Sequence, residues 1–239
     1  MNTAGVPERL KGQGLGPCGA GLRAFESLPP HKITGIESER NAEILKSLCS
    51  SHFMKVYVVD NGGQWTHREW RTLRYLGAEA EIIPNVTPLK KISDADGIVL
   101  SGGAPRMGLS GDLGNCGEYL EKARCPVLGI CAGHQFMARY FGGKCEPAKI
   151  PEFGRVEISV SNRDDIFKNL PKKMVVWESH NDEVTVLPEN FELLASSENC
   201  KVQAMKHKSK PLYGLQFHPE VEHTEYGAQI FQNFLEECK

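Results

Sequence analysis

Residues Pro126 to Gly143 read P-V-L-G-I-C-A-G-H-Q-F-M-A-R-Y-F-G-G. Val127 to Ile130 form a short apolar run bounded by Pro126, and beyond Cys131 the residues Phe136, Met137, Tyr140 and Phe141 recur at helical spacing. The pattern predicts a strand, a tight turn and a helix, with Cys131 on the turn. Gly129 and Gly133 flank the cysteine two residues away on either side, which is the layout of a nucleophile elbow. Such a turn presents the thiol above a sheet, and the amides opening the helix favour its thiolate form. The competing reading is a buried structural cysteine, because free cysteine is among the most buried residue types.

Working outward, the C-terminal stretch Y-G-L-Q-F-H-P-E-V, Tyr213 to Val221, bears on that choice. Residues at i and i+2 of an extended segment face the same way, so His218 and Glu220 lie on one side while Pro219 stiffens the backbone between them. One carboxylate can then orient one imidazole, giving the second half of a Cys-His-acid triad. Alone, H-x-E would read as a surface histidine beside a solvated glutamate. Following a strand-like run, in a chain that also carries a strand-turn-helix cysteine, it favours an enzyme.

G-I-C-A-G-H-Q and Q-F-H-P-E resemble the signatures of the class I, or triad, glutamine amidotransferases. Within that group, D-N-G-G-Q at Asp60 to Gln64, W-E-S-H-N-D-E-V at Trp177 to Val184 and F-H-P-E-V-E-H-T-E-Y-G at Phe217 to Gly227 are similar to the amidotransferase subunits of archaeal-type GMP synthases. The resemblance runs from about Met54 to the end of the chain.

The 239 residues, 40% hydrophobic, suffice for one globular domain with a sizeable core. A net charge of -2 gives no general attraction to nucleic acid or to an anionic membrane. No apolar run is long enough to span a bilayer and no secretory h-region opens the chain, so a cytoplasmic protein is expected. None of the eight cysteines forms C-x-x-C, and seven are read as reduced thiols without assigned roles. Residues 1–53 differ from the rest: they are rich in Gly and Pro and lack sustained periodicity. They resemble the peptide made when a transfer-RNA gene is translated by mistake. The expectation is a disordered or spurious extension over 1–53, with Met54 as the natural start and the domain at 54–239; a helix in E-S-E-R-N-A-E-I-L-K-S-L would instead make it a real appendage.

Lys55 to Val59 reads as the first strand, Trp65 to Leu76 as a helix burying Trp70, Leu73 and Leu76, Ala78 to Ile83 as a second strand and Gly97 to Leu100 as a third. This alternation predicts an α/β fold: an open, mostly parallel, flavodoxin-like sheet flanked by helices, with its sites at the carboxyl ends of the strands. D-N-G-G-Q, S-G-G at Ser101 to Gly103 and the Cys131 elbow fall at those ends and should converge on one rim. After Gly143, short runs at Arg155 to Val160, Lys173 to Trp177, Glu183 to Leu187, Phe191 to Ala195, Lys201 to Lys206 and Leu212 to Phe217 suggest antiparallel additions. Tyr226 to Cys238 reads as a closing helix with Ile230, Phe231, Phe234 and Leu235 on its core face. S-G-G lacks the Gly-Lys-Ser/Thr ending of a phosphate-binding loop.

The resemblance implies a chemistry. Cys131, His218 and Glu220 would hydrolyse glutamine to glutamate and ammonia, with the amides of Gly103 and Ala132 as the oxyanion hole. Gln135, one helical turn beyond Cys131, would help bind glutamine, together with Ser179, Asn181 and Asp182 of an S-H-N-D turn; His180 is read as structural or as part of an interface. The turn residues are also what an ordinary turn would use. Two departures from the usual pattern are S-G-G-A-P in place of S-G-G-P, and Asn181 where Gly is common. The resemblance further implies no metal or cofactor on this chain, and a separate ATP-pyrophosphatase subunit using ATP and Mg to aminate xanthosine monophosphate to GMP. Other readings are an amidotransferase of the anthranilate or carbamoyl phosphate type, a stand-alone γ-glutamyl cysteine hydrolase, and a regulatory binding module on the same fold.

Overall fold

The computed structural model describes residues 53–109, 111–163 and 165–239. The expectations for residues 1–53 lie outside the described residues, save for Phe53, which is exposed. Among the described residues, nine strands form one sheet in the order β2-β1-β3-β4-β9-β8-β7-β5-β6. Its first half comprises β1 (Lys55–Asn61), β2 (Glu79–Pro84), β3 (Gly97–Gly103), β4 (Val127–Ile130) and β9 (Leu212–Leu215), all parallel. Its second half comprises β5 (Lys144–Val160), β6 (Lys173–Val186), β7 (Phe191–Ser196) and β8 (Ala204–His207), joined by antiparallel pairings. Antiparallel pairings are therefore as numerous as parallel ones, and the run expected at Leu212 to Phe217 as an antiparallel addition is corrected: β9 pairs parallel with β4 and antiparallel only with β8.

Both faces of the parallel half are covered, which explains why its strands are apolar without alternation. Val56 and Val58 of β1 point into one core with Leu73 of α1 (Thr66–Tyr75) and with Ile230, Phe231, Phe234 and Leu235 of α4 (Gly227–Glu237). Tyr57 and Val59 point into the other, with Tyr119 and Leu120 of α2 (Cys116–Lys122) and Met137 and Ala138 of α3 (Ala132–Tyr140). Each fully buried Phe or Leu contributes about 1.5–3 kcal/mol by leaving water. Trp70 and Leu76 are only partly buried, because they sit at the margin of the first core; α2 lacks the apolar period that would announce it.

The elbow forms for a steric reason. Cys131 adopts φ 48°, ψ -104° between β4 and α3, a conformation costly for a residue with a Cβ. A methyl on Gly129 would lie 2.7 Å from the Gly133 carbonyl carbon, and one on Gly133 would collide with the Leu100 carbonyl oxygen on β3. Strand and helix pack backbone to backbone only because both flanking residues lack side chains. Gly133→Ala is expected to lower stability by about 1–3 kcal/mol through overpacking against main chain that cannot yield; urea unfolding checks it.

The expectation for S-H-N-D is also corrected. S-H-N-D is not a turn between two short strands but the middle of the single strand β6, paired along β5 with a register shift opposite it. Its polarity reflects a buried hydrogen-bonding role: His180 and Asp182 point inward with Glu178, while Asn181 is exposed.

Candidate active site

The carboxyl ends of β1, β3 and β4 and the loop after β9 meet around a cleft of about 210 Å³. Cys131, His218, Glu220, Gly103 and Ser179 line it, joined by Gly62, Gly63 and Gln64 of the D-N-G-G-Q segment. The turn after β1 is tied by Asp60 Oδ1, which accepts from the Gly62 amide at 2.9 Å and the Thr66 hydroxyl at 3.1 Å. Ser101 Oγ accepts from the Asn61 amide at 3.2 Å, and Asn61 Nδ2 donates to the Ser101 carbonyl at 3.0 Å, so the first and third strand ends are stitched together. A side chain on Gly63 would strike the Gly102 carbonyl. The expected convergence on one rim is thus made by side-chain hydrogen bonds together with close main-chain contact.

His218 Nδ1 lies 2.7 Å from Glu220 Oε1, and both residues are buried. A methyl on Gly102 would meet His218 Cε1 at 3.2 Å and Cys131 Cβ at 3.7 Å, so the imidazole and the cysteine converge on the same glycine. Trp65 sets its ring edge-on to the imidazole at 4.3 Å between centroids. Burial opposes charge on His218, but the Glu220 carboxylate and the Cys131 sulfur outweigh it and hold the imidazole pKa well above its usual 6.5. The arrangement favours an imidazolium beside the Cys131 sulfur. Behind it, Thr224 Oγ1 accepts from the Trp177 amide at 2.9 Å and donates to the His218 carbonyl at 2.7 Å, while Glu225 accepts from the Val175 amide at 2.9 Å. H-T-E-Y-G therefore clamps the histidine loop to β6.

The remaining candidates divide. Ala132 opens α3, so its amide has no intrahelical acceptor. Ser179 reaches the cleft, its carbonyl 4.0 Å from Cys131 Sγ. Gln135, Asn181 and Asp182 do not line the cleft. Gln135 Nε2 instead donates to the Asp182 carbonyl at 2.6 Å and to Gln216 Oε1 at 3.0 Å. The Asp182 carboxylate receives Arg106 at 2.8 and 2.5 Å and the Gly108 amide at 3.0 Å. Burial works against that carboxylate, yet these donors hold its pKa below the usual value. Arg139 adds hydrogen bonds to the Met107 and Gly111 carbonyls, both at 2.9 Å, fixing the loop after S-G-G onto α3.

Three residues at the site lay outside the sequence reading. Gln216 donates from Nε2 to Cys131 Sγ at 3.7 Å; it stands two residues before His218. Trp65 immediately follows D-N-G-G-Q. Glu69, an acid on the buried Thr66, Glu69, Leu73 stripe of α1, borders the cleft with Oε2 unbonded. Burial, reinforced by Glu220, raises its pKa well above the ordinary 4.5.

Glu152, His180 and Cys200 bring metal-ligand atoms within 4.8 Å of one another. The Glu152 oxygens are already engaged by Ser197 at 2.8 Å, Gln203 at 2.7 Å and His180 at 3.1 Å, a hydrogen-bonded set in which a cation would have to displace donors. The six cysteines among the described residues are free thiols. Among those residues no helix is long and apolar enough to cross a membrane.

The class-I glutamine amidotransferase family model matches residues 57–238. The chain is 54% identical over 187 residues to a glutamine-hydrolysing GMP synthase subunit of Thermoplasma volcanium, covering 78% of this chain and 93% of the relative. It is 52% identical over 185 residues to the corresponding subunit of Pyrococcus furiosus, covering 77% and 98%. A crystal structure of a GMP synthase subunit protein from Thermoplasma acidophilum superposes with TM-score 0.74 at 50% identity over 78% of this chain and 94% of that one. A glutamine amidotransferase structure from Thermotoga maritima shares the fold with TM-score 0.59 at 20% identity, covering 77% and 82%.

Proposed function

The chain belongs to the class-I glutamine amidotransferases, and from that premise we propose that it is the glutamine-hydrolysing subunit of a GMP synthase, acting through Cys131, His218 and Glu220. The observation that carries the reading is the convergence of these three side chains on one cleft, in a chain 54% identical to a glutamine-hydrolysing GMP synthase subunit. The amidotransferase domain is residues 54–239 in this reading, supported by the family match over 57–238.

The Cys131 thiolate attacks the side-chain amide carbon of glutamine, and the C–S bond forms as the carbonyl electron pair moves onto oxygen. The amides of Gly103 and Ala132 hold that oxyanion; losing one such donor typically costs about 10²- to 10³-fold. The C–N bond then breaks, His218 protonates the leaving nitrogen, and ammonia departs from a glutamyl thioester. His218 next takes a proton from water, which attacks the thioester and releases glutamate and the thiolate. Glu220 keeps the imidazole oriented through both steps. Ser179 is the remaining candidate for holding the substrate, whereas Gln135 and Asp182 are spent in this structure on scaffolding.

The partner in this reading is a separate ATP-pyrophosphatase subunit, which binds ATP and Mg and uses the ammonia to convert xanthosine monophosphate to GMP. Mixing this chain with such a subunit, glutamine, xanthosine monophosphate, ATP and Mg is expected to yield GMP only when both chains are present. Glutamine hydrolysis by the chain alone should be slow and should rise with the partner. Glutamate formation without GMP would keep the hydrolytic site and overturn the acceptor; full-rate hydrolysis by the isolated chain would overturn the coupling.

A further inference from the structure

The amide chain behind the nucleophile has a fixed polarity. The Asp182 carbonyl oxygen only accepts, so the Gln135 atom 2.6 Å from it is the NH₂ group. The second hydrogen of that group points to the Gln216 end 3.0 Å away, which must therefore be oxygen. The other terminal atom of Gln216 is then NH₂, and it faces Cys131 Sγ at 3.7 Å. Orientation is thus transmitted from a main-chain carbonyl on β6, through α3, to the sulfur. Gln216 is completely buried and does not line the cleft, so it approaches the sulfur from the interior and leaves the cleft side to substrate.

The sulfur stands between opposing influences. The Ser179 carbonyl at 4.0 Å accepts an S–H and so favours the thiol. An N–H donor favours the thiolate, the form that attacks. We propose that Gln216 is a positioning residue for Cys131, a hydrogen-bond donor that stabilises the thiolate and whose polarity is set by Gln135. This assigns a role to Gln135 other than contact with substrate, and it rests on the reading of Cys131 as nucleophile.

The test is the pH dependence of Cys131 alkylation by iodoacetamide in the full chain, followed by the mass of the Cys131 peptide. The titratable groups facing the sulfur are His218 and Glu220 after β9, Glu69 on α1, Glu178 on β6 and Cys145 on β5, and the substitutions alter none of them. In Gln216→Leu the alkylation profile is expected to move to higher pH by about one unit, since a hydrogen bond to a charged group has that order of effect. Near neutral pH, kcat for glutamine hydrolysis should fall about tenfold with KM little changed. Gln135→Leu, which leaves Gln216 in place but frees its orientation, should shift the profile the same way by less, and it carries the test if Gln216→Leu does not fold. An unmoved profile in a folded variant overturns the proposal, as does a change confined to KM. If Cys131→Ala retains glutamine hydrolysis, the nucleophile assignment fails instead, which separates the two conclusions.

Discussion

Cys131→Ala is expected to reduce glutamine-dependent GMP formation by roughly 10⁴-fold or more, the scale on which single nucleophile deletions act in triad hydrolases, while synthesis from added ammonia in the presence of the partner subunit stays at the unsubstituted level. The contrast matters more than the loss. Ammonia enters the scheme after the thioester, so a variant lacking only the sulfur should be silent with one nitrogen donor and active with the other. The substitution is mild for the fold, because alanine keeps the Cβ that already tolerates φ 48° and deletes only the Sγ that faces Gln216 and Ser179. Parallel assays with glutamine and with ammonium chloride check it. Equal loss with both donors would mean that the elbow helps the two chains assemble, and no loss would return Cys131 to a structural role.

The elbow was legible because its physics is local. Two glycines, a proline-bounded apolar run and a helical period name the strand, turn and helix with no knowledge of what packs against them, and the collision of a Gly133 methyl with Leu100 shows why the spacing is required. Four strands of the parallel half were legible for the same reason, each a short apolar block followed by a turn; β9 was grouped with the antiparallel runs, because its parallel pairing with β4 is set by remote contacts. Strand β6 was not legible, because its centre is polar. S-H-N-D looks like a turn until Glu152, Gln135 and Arg106, remote in sequence, accept or supply its hydrogen bonds. A helix lacking apolar period, such as Cys116–Lys122, was missed on similar grounds.

The site divides along the same line. His218 and Glu220 were paired from an extended-strand alternation, and the structure pairs them instead in a turn after β9, where the Val221 amide donates to the His218 carbonyl at 3.3 Å. Gln216 stands two residues before His218, but a glutamine at that position acquires meaning only when the amide relay from Asp182 fixes its direction. Glu69 carries a sequence signal, an acid on a buried stripe, yet its raised pKa follows from the desolvated cleft and the nearby Glu220, which no local pattern encodes. Gln135 shows the reverse case. Its spacing from Cys131 suggested reach towards substrate, and the tertiary structure gives both its amide hydrogens to protein acceptors.

Glu220→Gln is the second large effect, an expected fall of about 10²- to 10⁴-fold in glutamine hydrolysis. Glutamine at this position keeps an oxygen for His218 Nδ1 and places an amide nitrogen where Glu220 Oε2 has no hydrogen-bond partner, so the fold should persist and the change isolates the charge. Without that charge the imidazolium is less favoured, and the alkaline limb of the glutaminase profile should move to lower pH because the proton destined for the leaving nitrogen is lost sooner. Stability should respond with a defined sign. A histidine whose pKa is raised by folding contributes stability that is complete below its unfolded value, about 6.5, and that disappears as pH rises through the higher folded value. The unsubstituted protein should therefore exceed Glu220→Gln most clearly just below about pH 6.5, with the gap closing as the solution is made alkaline. Urea unfolding of both proteins across that range checks it. A gap that widened towards alkaline pH would mean that Glu220 acts by packing and not by holding the His218 proton.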